Sequence, residues 1–206
     1  MRLPVLAALM LVVAPAPAFA HHVGTYTPQD NEITTNFKQV KFSVQAGKFD
    51  VALRLFEAGA LRTQMRATAA ALPPGLESGT RAALQAEDAP EVERRLMIFF
   101  AALARDLALE AGRQLADPRL TPEARAAAGP RFLEAIWRYY NLIDFAVALR
   151  DDKTSVAVRL AFDEAEGYAK KAAGPEGAGL RDSLRRIAQI LTNLIDTSST
   201  FARRDR

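Results

Sequence analysis

The sequence predicts an all-α protein, a single bundle of about six helices. Three observations lead there. Apolar residues recur at three- and four-residue spacing through most of positions 28–206, the period of a helix with one buried face. The breaks between these stretches carry helix stop and start signals, among them Gly-Pro, Asp-Pro and Thr-Pro pairs. No alternating β-branched run and no Asn-Gly or Asp-Gly hairpin turn suggests a strand.

Positions 1–20 read as a secretory signal peptide that is removed. Arg2 supplies a positive start, Val5 to Val13 an apolar run, and Ala18-Phe19-Ala20 an A-x-A cleavage site. The run is too short to span a bilayer, and no later stretch reaches the roughly 18 apolar residues a spanning helix needs. Export to a periplasm, with no transmembrane segment after cleavage, is the expectation. Residues 21–27 form a leader and 28–206 the helical domain.

Thr27-Pro28 reads as the first helix start, with Thr as N-cap and Pro at the first position. Ile33, Phe37, Val40 and Val44 then share a face, and Gly47 ends the helix through a positive φ. A second helix carries Phe49, Leu53, Phe56 and Ala60 and runs to Pro73-Pro74-Gly75. Glu77 to Ala86 gives no clear signal. Asp88-Ala89-Pro90-Glu91 has capping-box spacing and opens a helix with Val92, Leu96, Phe99, Leu103 and Leu107 on its stripe. Thr121-Pro122 opens the next, expected to break near Gly129-Pro130. Its main part, Phe132 to Leu149, is apolar on most sides and is expected at the bundle centre. A helix follows Asp151-Asp152 to about Ala173. The last places Leu180, Leu184, Ile187, Leu191 and Leu194 on one stripe.

One pattern appears twice. Phe42-x-Val44 and Val51 to Leu55 (VALRL) find echoes in Phe145-x-Val147 and Val156 to Leu160 (VAVRL), each pair straddling an expected helical turn. Two related three-helix halves would account for it. The segment Ala46 to Phe56, with its G-x-F-D-x-A-x-x-x-F spacing, resembles the turn and second helix of a tetratricopeptide repeat. The resemblance spans these residues alone. The preceding helix lacks that family's Trp, Leu-Gly and Tyr positions, and no 34-residue period follows. It implies a helical hairpin.

Composition removes several function classes. Basic residues number 27, one of them Arg2, against 24 acidic ones, too even a balance to call for nucleic acid as a partner. The absence of cysteine excludes disulfides, thiolate metal sites, c-type haem and a thiol nucleophile. No phosphate-binding or dinucleotide glycine motif is present, and a Ser–His–Asp triad would need a histidine from the leader. No cofactor is required by anything in the sequence. A non-enzymatic binding protein with a periplasmic or envelope protein partner is the first expectation.

Metal handling is the second. The only histidines are His21 and His22, placed so that cleavage after Ala20 makes His21 the amino terminus. A free α-amine and imidazole both lose protons near neutrality, and nitrogen sites of this kind favour copper. The pattern resembles the histidine brace of copper oxygenases and copper carriers, although the remote second histidine of that brace is missing. Within the bundle, Asp144 falls on an apolar stripe and Asp163 and Glu166 lie on the following helix. Together they would offer a carboxylate site for iron, or Asp144 would pair with Arg138, Arg159 or Arg185. Trp137, Tyr140, Phe145 and Tyr168 would line an apolar ligand pocket.

Overall fold

The computed structural model describes residues 29–170 and 177–204. Among them are eight α-helices: α1 (Glu32–Gln45), α2 (Phe49–Ala58), α3 (Ala60–Ala67), α4 (Leu76–Gln85), α5 (Ala89–Leu115), α6 (Pro122–Arg150), α7 (Asp152–Lys170) and α8 (Gly177–Arg204), with a 3₁₀ turn at Ala69–Ala71. The all-α bundle is as the periodicity predicts; the helix count and the arrangement differ in detail.

The four long helices close a ring. α5 packs on α6, α6 on α7, α7 on α8, and α8 returns to α5. Connections at 116–121 and at Asp151 are short, so successive helices run antiparallel. Arg94, early in α5, donates to the carbonyl of Ser198, late in α8, at 2.5 Å, which fixes their opposite sense. The four short helices form a cap whose α1 and α4 rest on α5. Phe37 of α1 meets Phe100 of α5 edge-on at 4.6 Å, and Phe99 flanks Phe100 at 5.1 Å.

Local rules account for the helix ends. Asn31 and Thr34 form a full capping box: Thr34 N–H donates to Asn31 Oδ1 and Asn31 N–H donates to Thr34 Oγ1. α1 therefore begins at Glu32 rather than beside Thr27-Pro28, which lie outside the described residues, because Asn is the stronger cap and Thr34 completes the box. Gly47 has φ +69, and a Lys48 N–H to Ser43 carbonyl bond closes the turn behind α1. Asp88 and Thr121 cap α5 and α6 through side-chain oxygens, as their sequence positions predict.

Four expectations need correction. The second helix does not run to Pro73 but breaks at Gly59, whose backbone is extended. Leu76–Gln85, silent in sequence, is a helix that buries Leu76, Thr80, Ala83 and Leu84. Gly129-Pro130 does not interrupt α6; Gly129 lies against Leu180 and Ala169, and this close packing on α7 and α8 outweighs the one backbone bond that Pro130 removes. The centre is α5, enclosed by cap and bundle, and not α6, whose Phe145 and Leu149 face outward. The two parts of the chain differ in helix length. Helices of 8–14 residues make up the cap, and helices of 19–29 residues make up the bundle.

Candidate functional site

The α6–α7 hairpin joins a buried polar cluster to an exposed apolar face. Asp144 is nearly covered, on the face of α6 that meets α7. Ser155 Oγ donates to its Oδ1 at 2.9 Å, and Arg159 Nε donates to Oδ2 at 3.1 Å, with Arg159 Nη2 on the same oxygen. The carboxylate is thereby satisfied without leaving the helix interface, the condition for burying a charge. The bond to Asp144 raises the Arg159 guanidinium pKa above its ordinary value, so the guanidinium stays charged.

Tyr140, one turn before Asp144, is fully buried. Its ring lies 5.8 Å from Trp137 and 6.3 Å from Phe162, and Trp137 meets Phe162 at 5.1 Å. Its hydroxyl sits near Ser155 and Asp144 without a well-formed hydrogen bond to either. Burial first, then the Asp144 charge, pushes the phenol far above its ordinary pKa, so it stays neutral.

One residue beyond this cluster, on each helix, the surface changes character. Phe145 is 71% exposed, Leu149 72%, Val156 54% and Leu160 58%. Phe145 and Leu149 form one i, i+4 ridge, and Val156 and Leu160 another. They follow directly on Asp144, Ser155 and Arg159, which face one another. In antiparallel helices a one-residue step turns both ridges to the same side. The hairpin thus displays two parallel apolar ridges over a polar clamp.

The candidate residues named from sequence distribute as follows. Asp144 does pair with an arginine, and it is Arg159. Asp163 is exposed, and Glu166 is buried beside Lys170 at 3.6 Å. Asp144 lies near the turn, level with 155–159, so it does not meet Asp163 and Glu166 further along α7. Among the described residues no three His, Cys, Asp or Glu side chains gather where a metal ion would bind. Burial raises the Glu166 pKa, partly offset by Lys170. His21 and His22 lie outside the described residues.

Trp137 and Tyr140 belong to the packed core with Phe162. Phe145 is on the surface, and Tyr168 covers Gly179 of α8. The four aromatics sit at different angles around the α6–α7 pair, two of them buried and Phe145 exposed. Sequence reasoning missed Leu149, Val156 and Leu160 as surface residues. Their signal was available: each is apolar yet falls off its helix's buried stripe.

No family model, no curated protein and no solved structure matches this chain.

Proposed function

We propose that the chain is an exported, non-enzymatic helical binding protein that docks a partner through the outer face of the α6–α7 hairpin. The observation that carries this reading is the exposure of Phe145, Leu149, Val156 and Leu160 on one face. Apolar patches of this kind on a protein surface mark interaction sites. Two parallel ridges leave a groove between them, the shape that receives the apolar face of an amphipathic helix. Asp152, Lys153 and Asp163 stand exposed on α7 beside the ridges, which favours a partner helix with charges of both signs at its flanks. Among the described residues no helix is long and apolar enough to cross a membrane. The partner is an envelope protein in this reading.

Phe145→Asp with Leu160→Asp tests it. Both sites are exposed, so stability should shift by no more than about 0.5 kcal/mol. Capture of the envelope partner retained by the wild-type protein should fall at least ten-fold. Unchanged capture, or self-association through this face as its only use, would overturn the proposal.

A second reading rests on the two histidines placed together behind the A-x-A site. There the mature amino terminus binds copper through the His21 amine and imidazole nitrogens. An extra N-terminal Ser should weaken copper binding sharply; equal affinity would remove the α-amine from the site.

A further inference from the structure

We infer that the groove between the end of α5 and the start of α8 is a binding site for a multiply charged oxyanion, a polycarboxylate or a phosphate compound. The cavity there has a volume of about 390 Å³, within the range of small-molecule sites. Arg113 lies on the α5 wall, and Arg181 and Arg185 lie on the α8 wall. The last two are four residues apart, on one face of their helix. Among the described residues Asp182 is the single acidic one lining the cavity. Arg113 and Arg185 are each 74% exposed and, among the described residues, pair with near neighbours, Glu110 at 2.5 Å and Asp182 at 2.8 Å. Exposed pairs of this kind are weak and exchange readily for a stronger acceptor. Guanidinium forks match carboxylate and phosphate oxygens in pairs.

Gly112 supplies an independent observation. It sits inside a 27-residue helix, where glycine is unfavourable relative to alanine. Among the described residues nothing requires it: a Cβ built there meets no atom within 4 Å. Gly112 lines this cavity, between Ala108 and Ala116 one turn to either side. A glycine unneeded by packing of the described residues, lining a groove with three arginines, fits the close approach of a ligand to the α5 backbone. Leu109, partly exposed at the rim, gives the ligand's carbon skeleton an apolar contact. This site lies on helices α5 and α8 and does not depend on the α6–α7 face.

Calorimetric titration of the full mature chain with citrate and, separately, with pyrophosphate at fixed ionic strength tests the assignment. Saturable one-to-one binding of either probe is expected, citrate alone marking carboxylate recognition and pyrophosphate alone marking phosphate recognition. Arg113→Gln and Arg185→Gln, both at exposed positions, should each weaken it about ten-fold. Gly112→Ala should raise Tm by about 3 °C, and Gly112→Leu should fill the groove and abolish binding. No saturable binding of either probe, or binding indifferent to both arginine substitutions, would overturn the inference.

Discussion

Glu87 ends α4 with φ +57, in the left-handed region that glycine enters far more easily than a residue with a Cβ. The turn demands it. Asp88 N–H reaches the Ala83 carbonyl at 3.0 Å and Glu87 N–H the Leu84 carbonyl at 3.3 Å, the same closure that Gly47 provides behind α1. Glu87→Gly should therefore raise unfolding free energy by about 0.5–1 kcal/mol, read from urea denaturation. Gly47 was legible in the sequence because glycine announces the turn; Glu87 was not, because its conformation is imposed by the packing of α4 against α5. Asp144 was half legible in the same way. An acid on an apolar stripe needs a cation, yet only the hairpin register selects Arg159 over Arg138 and Arg185.

At the scale of elements, the break between α2 and α3 depends on one buried amide. Asn36 of α1 donates through Nδ2 to the Leu55 carbonyl at 3.0 Å, and its Oδ1 accepts from Leu61 N–H at 3.0 Å. It thus satisfies a terminal carbonyl of α2 and a terminal amide of α3, groups that a helix cannot pair internally. Gly59 leaves room for it; a Cβ there would collide with Asn36 Oδ1. Asn36→Ala should cost about 2–3 kcal/mol, because two buried backbone groups lose their partner, and thermal denaturation would show it. The periodicity of Phe49 to Ala60 gave no hint of this break. The residue that compensates it stands on another helix, outside any local window.

Across the whole molecule, Glu91 ties three parts together. It accepts from Arg94 Nε and Nη2 and from Arg95 Nε, each at 2.6 Å. Arg94 continues to Ser198 on α8, and Arg95 to the Gly75 carbonyl of the cap at 3.3 Å. The hydrogen bonds from Arg94, helped by both charges and opposed by burial, hold the Glu91 carboxyl below its ordinary pKa of 4.5. Its stabilising contribution is therefore complete at neutral pH and declines as pH falls from about 4.5 through the lowered value. Glu91→Gln should cost about 2 kcal/mol at pH 7, mostly by leaving Arg94 buried and unmatched. The gap to wild type should narrow at pH 3, and denaturation at the two pH values would measure both effects.

Helix class, the starts at Asp88 and Thr121, the stop at Gly47 and the stripe of α8 were determined by the sequence itself, because spacing and caps act within a few residues. Which helix occupies the centre, where the chain breaks at Gly59, which cation meets Asp144 and which apolar residues stay outside were decided only by the tertiary structure. Each depends on contacts between residues distant in the chain, and helical periodicity shows that a face is apolar without showing what covers it.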